Sequence, residues 1–269
     1  MQWVIQIGRF DITTSVMTLS RFRAMPRQGH LDRIKRIYGY LKKHRHGHIR
    51  IITEVPDYSD IPMKEYNWFY TCYSGAQEQV PDDAPRPLGK EVKTTSFVDA
   101  NLYHDLVSGK SVTGILHMLN QTVIDSYSKL QATVETATFG SEYVAARTAT
   151  EQIIDLRLTL RYLGVPLLGV SMLFGDNESV VNSAADPSSR IPKRHNMLSY
   201  HKTRESIAAG ITWFHHIKGK WNPADILSKH WDRASVWHCL KPLLFAYGST
   251  TGMLKNIITG KDDEDESST

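Results

Sequence analysis

Three consecutive stretches near the middle of the chain are rich in apolar, aromatic and β-branched residues, which are β-strand signals. These stretches cover residues 95–103, 114–119 and 123–127. The gaps between them contain turn-forming residues at 108–110 and 120–121. Three adjacent strands with such short connections predict an antiparallel meander.

Helical periodicity begins at residue 138 and continues until Gly164 interrupts it. Four further elements are predicted after this helix: a strand over 170–174, a helix over 178–185, a helix over 197–209 and a strand over 211–217. The order β-β-β-α-β-α-α-β indicates an α/β fold. A mixed sheet with antiparallel strands first and a crossover helix afterwards fits this order.

The amino-terminal part of the chain predicts one clear helix, over residues 30–44. One face of this helix is apolar. The other is basic, with Arg33, Lys35, Arg36, Lys42 and Lys43. A charged helical face is most often simply solvated, and phosphate binding is the alternative interpretation.

Residues 49–52 predict a short strand, and residues 54–90 are irregular and rich in proline. This irregular stretch contains an aromatic patch formed by Tyr66, Trp68, Phe69, Tyr70 and Tyr73. A small local core is the commoner explanation of such a patch, and stacking on nucleic-acid bases is the other. The change of pattern places a domain boundary near residue 90.

The chain has 32 Lys and Arg residues against 28 Asp and Glu, a net charge of +4, and the acidic residues 261–266 conceal a more basic body. This balance is compatible with a nucleic-acid partner. Cys72 and Cys239 are isolated in the sequence, which indicates a reduced intracellular protein without a disulfide framework. No apolar run is long enough to cross a bilayer and no signal peptide is recognisable, so we expect neither membrane association nor secretion.

Four acidic residues lie on separate predicted elements: Asp99 closes the apolar stretch TSFVD, Glu142 lies early in the long helix, Asp176 follows the strand that ends at 174, and Asp225 follows the last predicted strand. Asp176 follows a strand at its carboxyl end, where α/β sheets commonly build ligand sites, although a lone Asp here is more simply a helix cap. Four carboxylates from separate elements repel one another, so a fold that gathers them needs cations. Hard oxygen ligands suit a pair of Mg²⁺ or Mn²⁺ ions, an arrangement used for phosphodiester hydrolysis.

Five segments carry these acidic residues or lie between them: FVDA at 97–100, SYSKLQ at 126–131, TFGSEYVA at 138–145, FGDNESVV at 174–181 and NPADILSK at 222–229. Together with the order of elements, they resemble the ribonuclease H domain of the reverse transcriptase of copia-type LTR retrotransposons. The resemblance implies a ribonuclease H-like mixed five-stranded sheet with flanking helices. It also implies a magnesium-dependent endonuclease that hydrolyses the RNA strand of RNA/DNA hybrids.

By the same resemblance, Asp99 is expected to bridge two divalent ions, and Glu142 and Asp176 to complete the shell of one ion. Asp225 is expected to help hold the ion that activates the attacking water. The candidates for strand contacts are Ser126, Lys129, Gln131, Asn177 and Ser179. Asn177 and Ser179 fit helix capping equally well. Among twelve histidines, His201 is the best candidate for a proton shuttle.

Residues 7–12 and 26–43 resemble the segment that links the polymerase thumb to ribonuclease H. We predict four parts: a thumb/connection-like remnant and linker at 1–90, the ribonuclease H-like domain at 91–233, a carboxyl-terminal helix at 234–259 and an acidic disordered tail at 260–269. The chain lacks the Tyr-x-Asp-Asp motif of a polymerase, so we expect the polymerase portion to be a missing partner. We also expect an intracellular location, in cytoplasmic virus-like particles or in the nucleus.

The sequence departs from the family pattern after the first predicted strand motif. Asn101, Leu102 and Tyr103 stand where the family has a second Asp, a His and a small residue. A second hypothesis is therefore a nucleic-acid-binding module or a catalytically inactive retrotransposon remnant. A third is a related nuclease or recombinase that prefers duplex DNA.

Overall fold

The computed structural model describes residues 1–191, 194–245 and 255–258. The chain begins with three helices, α1 (Gln2–Gln6), α2 (Thr13–Ser20) and α3 (Gln28–Lys43). Ile12 and Val16 pack against Ile37 of α3 and form a small core. The basic helix predicted at 30–44 is therefore present as α3, and its apolar face rests on α2.

Residues 44–93 contain no helix or strand, apart from one isolated bridge at Val92, so the strand predicted at 49–52 is wrong. Polar side chains from the sheet satisfy this segment instead. The amide of Ile52 donates to Oγ1 of Thr122 at 2.7 Å, and Nδ2 of Asn120 donates to the carbonyl of Thr53 at 2.8 Å. Side-chain hydrogen bonds therefore replace the strand ladder that the apolar pattern had predicted.

The aromatic patch of the linker divides into two parts. Trp68 and Tyr73 stack on the buried guanidinium of Arg204, 4.8 and 5.5 Å from the ring centroids. Phe69 and Tyr70 pack on each other and are largely exposed. The local-core interpretation therefore holds for Trp68 and Tyr73, whose cation–π contacts attach the linker to the following domain.

Five strands form one mixed sheet: β1 (Thr94–Asp105), β2 (Lys110–Leu119), β3 (Thr122–Leu130), β4 (Ser171–Gly175) and β5 (Thr212–His216). Their spatial order is β3-β2-β1-β4-β5. The first three strands pair antiparallel, whereas β4 pairs parallel with both β1 and β5. The predicted α/β class, meander and mixed five-stranded sheet are confirmed.

Five further helices accompany the sheet: α4 (Thr138–Tyr162), α5 (Glu178–Ala185), α6 (Met197–Ala208), α7 (Asp225–Ser228) and α8 (Trp237–Leu240). A π-helical turn, Lys241–Phe245, follows α8 directly, and residues 255–258 are also helical. The described part of the predicted helix 234–259 thus consists of short pieces. The predicted acidic tail at 260–269 lies outside the described residues.

Both faces of the sheet are buried. Val98 and Leu173 face the small residues of α4, including Ala149, in one cluster. Phe97 belongs to the opposite cluster, which also contains Phe10 from the amino-terminal segment. Burial on both sides fits the unbroken apolar run of β4, Met172, Leu173 and Phe174.

The amino-terminal segment therefore shares a core with the sheet, and the division at residue 90 stays a prediction.

No helix in the described part of the chain combines the length and apolar character needed to cross a lipid bilayer.

Candidate metal centre and nucleic-acid interface

The sheet brings two of the predicted acidic residues side by side. Asp99 lies in the middle of β1 and is 1% exposed. Val98 pairs with Gly175 in the parallel register of β1 and β4, so Asp176, directly after β4, arrives next to Asp99. The parallel pairing of β1 and β4 brings both carboxylates to the same level, just beyond the last paired residues of the two strands, which is why residues far apart in sequence meet here.

Glu142 joins this pair from the first turns of α4. Alanines along α4, such as Ala145 and Ala149, allow the helix to lie close to the sheet and bury Glu142 to 6% exposure. The amide of Ala100 donates a hydrogen bond to the Glu142 carboxylate. One ligand oxygen from each of Asp99, Glu142 and Asp176 lies within 4.8 Å of the others.

Burial and the close approach of these carboxylates shift their pKa values. Burial, followed by the carboxylates of Asp99 and Asp176, raises the pKa of Glu142 well above its usual value. Burial, and then Asp99, raises the pKa of Asp176 to about 6. Carboxylates held this close, with too little solvent to screen them, favour either protons or a cation.

Asp225 is not a member of this group of three. Burial and the charge of Asp99 raise the pKa of its carboxyl to about 7. The Nζ atom of Lys229 lies 2.5 Å from Oδ1 of Asp225 and 3.3 Å from Oδ2 of Asp99. Although burial lowers the pKa of Lys229, the two carboxylates outweigh it and hold that pKa above the usual value. Asp99 is thus shared between the three-carboxylate group and an ion pair.

A close backbone approach places α7, with Asp225 at its start, over the sheet. Gly114 of β2 is the registered partner of Asp99. A Cβ atom on Gly114 would lie 2.7 Å from the carbonyl oxygen of Ala224 and 2.8 Å from the amide nitrogen of Ser228. The missing side chain lets Ser228 donate a hydrogen bond to Asp99.

Asn222 is a positioning residue that the sequence analysis did not single out. Its Nδ2 donates to the carbonyl of Val98 at 2.9 Å, and its Oδ1 accepts from the amide of Ala224 at 3.1 Å. The side chain therefore attaches the start of α7 to β1 beside Asp99. The Asn-Pro pair that opens the NPADILSK segment was the available signal, since such pairs favour turns.

The predicted nucleic-acid contacts on β3 and directly after it occupy different environments. Lys129 is exposed, and Ser126 is half-buried with its Oγ 3.5 Å from Oγ1 of Thr13. Gln131 is buried, and its Nε2 donates to Oγ1 of Thr113 at 3.0 Å and to the carbonyl of Ser141 at 2.8 Å. The structure thus places Gln131 inside the protein, where it joins β2 to α4, and leaves Lys129 available to a ligand.

The two candidate nucleic-acid contacts near β4, Asn177 and Ser179, also occupy different environments. Oδ1 of Asn177 accepts a hydrogen bond from the amide of Val180 at 3.2 Å, so this side chain caps α5. Ser179 is exposed in the first turn of α5. The capping interpretation is realised for Asn177, and strand contacts by either residue stay a prediction.

His201, the predicted proton shuttle, lies in α6. Its Nδ1 is 2.5 Å from the hydroxyl oxygen of Tyr73, and its ring also contacts Tyr200. These contacts attach it to the linker patch. A different histidine, His216, contacts the acidic site, with its Nε2 3.2 Å from the backbone carbonyl of Asp176.

Sequence comparison identifies relatives of this chain. It is 28% identical over 141 residues to the retrovirus-related Pol polyprotein from transposon TNT 1-94 of Nicotiana tabacum, covering 52% of this chain and 10% of that protein. It is 22% identical over 227 residues to the retrovirus-related Pol polyprotein from transposon RE1 of Arabidopsis thaliana, covering 84% and 13%. The chain is similar to transposon Pol polyproteins. The resemblance to a retrotransposon polyprotein is thereby confirmed, and the chain spans roughly a tenth of the length of these relatives.

Among solved structures, the chain is similar to LC11-RNase H1 in complex with an RNA/DNA hybrid. That similarity has a TM-score of 0.41 and 16% sequence identity, and it covers 50% of this chain and 93% of the other. No protein-family model matches the chain.

Proposed function

We propose that this chain is a metal-dependent endonuclease that hydrolyses the RNA strand of RNA/DNA hybrids. The observation that carries the proposal is the convergence of Asp99, Glu142 and Asp176 from β1, α4 and the end of β4, with ligand oxygens within 4.8 Å. The motif resemblance and the relationship to transposon Pol polyproteins supply the substrate class. An RNA strand in such a hybrid is distinguished by its 2′-hydroxyl groups.

The donor set fits a hard divalent cation. Three carboxylates with no soft or nitrogen ligand among them suit Mg²⁺ or Mn²⁺. The raised pKa values of Glu142 and Asp176 reflect burial first and then repulsion between the carboxylates, and a bound cation would offset both. When bound, such ions stabilise the negative charge that develops on the phosphodiester. Asp99, Glu142 and Asp176 would hold the first ion.

A second ion would take ligands from Asp99 and Asp225. The ammonium group of Lys229 contacts both of these carboxylates, so it has to withdraw before such an ion enters. The chain itself therefore supplies a positive charge beside the three-carboxylate group. We propose that Lys229 neutralises Asp225 until substrate and ions are in place.

The decisive experiment is cleavage of a hybrid labelled on either strand by the purified chain, with Mg²⁺, with Mn²⁺ and with chelator. Metal-dependent cutting of the RNA strand alone is the expected result. An Asp176→Asn variant should bind the hybrid and fail to cut it. Cutting by this variant at the wild-type rate would refute the site assignment.

The alternative functions predict other outcomes of the same experiment. Salt-sensitive hybrid binding without cleavage, from a folded sample, would favour the binding module or inactive remnant. Cutting of duplex DNA in preference to hybrid would favour another nuclease or recombinase. The polymerase portion of a reverse transcriptase is the proposed partner, and adding it in trans tests whether it increases cleavage.

A further inference from the structure

Helices α2 and α3 form one wall of a groove beside the candidate metal centre. Two cavities of about 480 and 720 Å³ make up this groove, which we call the α3 groove, and both are lined by Arg33, Lys229 and Trp231. Arg36 lines the first cavity, and Tyr103 lines the second. Since Lys229 also contacts Asp99 and Asp225, the groove starts at the acidic site.

The acidic residues that line the α3 groove are already neutralised. Asp11 pairs with Arg9 at 2.7 Å, and Asp105 pairs with Arg21 at 2.7 Å. Arg33 and Arg36 are exposed, and neither forms an ion pair with a carboxylate in the described part of the chain. The groove therefore presents two guanidinium groups whose charge is not compensated by a neighbouring acid.

Two histidines, His104 and His230, line the second cavity. The ring centroids of His104 and His230 are 5.2 Å apart. Burial, and then the charge of Arg21, lowers the pKa of His104. Burial, followed by His104 and Arg33, lowers the pKa of His230. An anion that enters the groove would reverse these charge effects.

We propose that the α3 groove binds the sugar–phosphate backbone of the nucleic acid whose phosphodiester lies at the acidic site. This inference deepens the proposed function and rests on it for the identity of the substrate. Arg33 and Arg36 are three residues apart on α3, so their Cβ atoms are roughly 5 to 6 Å apart and both forks serve the same strand.

Exposed aromatic side chains favour a nucleic acid over another polyanion. Trp231 is 48% exposed and Tyr103 is 44% exposed, and both line the groove among the basic residues. Aromatic faces stack on bases whatever their sequence, whereas an acidic peptide offers no such surface. The amino-terminal helices thus extend the substrate-binding surface away from the metal ligands.

The test is binding of a fluorescein-labelled RNA/DNA hybrid to the full chain, measured by anisotropy across a salt series in the presence of chelator. The groove variant carries Arg33→Gln and Arg36→Gln. Its matched control carries Lys42→Gln and Lys43→Gln, which remove the same charge from α3 at positions outside both cavities. Thermal melts check that all three proteins are folded, and unlabelled poly-glutamate serves as a competitor.

The groove variant should bind the hybrid at least tenfold more weakly than the wild type. The slope of log affinity against log salt concentration should become less steep by about 2, because each lost phosphate contact accounts for about 0.9. The control should stay within twofold of the wild type. Equal weakening by both pairs, an unaffected groove variant, displacement by poly-glutamate as efficient as by hybrid, or no hybrid binding by the wild type at low salt would each overturn the proposal.

Because binding is measured in chelator, the binding experiment tests the α3 groove independently of the metal-dependent cleavage. Binding that depends on Arg33 and Arg36 without cleavage in metal would leave the groove standing and remove the nuclease. Metal-dependent cleavage by a protein whose binding ignores both arginines would do the opposite.

Discussion

Lys229 lies between Asp225 and Asp99, with its Nζ 2.5 Å from Oδ1 of Asp225 and 3.3 Å from Oδ2 of Asp99. The side chain is 31% exposed, so solvent screens this ion pair only in part. Its positive charge offsets the repulsion between two carboxylates that come from β1 and α7. The acidic site therefore contains a cation of its own.

Removal of this charge should destabilise the metal-free protein and favour ion binding. We expect Lys229→Met to lower the free energy of unfolding in chelator by about 1 to 3 kcal/mol at pH 8, below the cost of breaking a fully buried pair. Added Mn²⁺ should restore it. Calorimetric titration should show tighter binding of the second ion than in the wild type.

The matched control is Lys202→Met, which removes a lysine paired with Glu205 at 3.3 Å on the exposed surface of α6. It should change stability by less than about 0.5 kcal/mol and leave ion binding unaltered. Equal stability of Lys229→Met and wild type in chelator would contradict the role given to Lys229.

Asp176→Asn should separate stability from activity. Because the folded-state pKa of Asp176 is about 6, above its ordinary value of 3.8, the stability associated with its protonated form is present at pH 4 and lost as the pH rises through 6. The variant avoids this loss. We expect it to be more stable than the wild type by about 1 to 3 kcal/mol at pH 8 in chelator and equally stable near pH 4.

Urea unfolding at the two pH values measures this difference, and the hybrid assay measures the accompanying loss of cleavage. A variant that is less stable than the wild type at pH 8 without metal would show that Asp176 is satisfied in the apo protein. The electrostatic argument for a cation at this position would then fail.

Gly114→Ala should displace α7. The new methyl group would meet the backbone of Ala224 and Ser228, which cannot rotate away as a side chain would. We expect a loss of about 1 to 3 kcal/mol in unfolding free energy and reduced cleavage. Gly39→Ala on α3 is the control, because its Cβ meets nothing within 4 Å and helix propensity should make it stabilising by about 1 kcal/mol. Unfolding midpoints for both variants decide the matter.

Lys129 and Gln131 should respond in opposite ways to substitution by alanine. Gln131→Ala removes two buried hydrogen bonds, so it should cost about 1 to 3 kcal/mol of stability while the folded protein keeps its hybrid affinity. Lys129→Ala should preserve stability and reduce the salt slope of hybrid binding by about 1. Weaker binding by a stable Gln131→Ala protein would return this residue to the substrate surface.

Local sequence patterns were enough to predict the order and type of the main elements. The β-strand signals over β1 to β3 and the helical periodicity of α4 are such patterns, and burial on one helix face follows directly from that periodicity. Asp176 directly after β4, Glu142 in the first turns of α4 and Asp99 on β1 were therefore candidates for one shared site. The strand predicted at 49–52 failed because side chains of the β2–β3 turn bind that segment.

The three-dimensional arrangement was needed to establish how charges are paired and which surfaces join. Lys229 contacts Asp99 because Gly114 lets α7 approach the sheet, and Gln131 is buried because α4 covers it. In the sequence, the basic face of α3 has the pattern of an ordinary solvated face. The structure shows that Lys229 and Trp231 line the same groove as this face. Pairing energies depend on distance and solvent exclusion between residues remote in sequence, and no local pattern encodes either quantity.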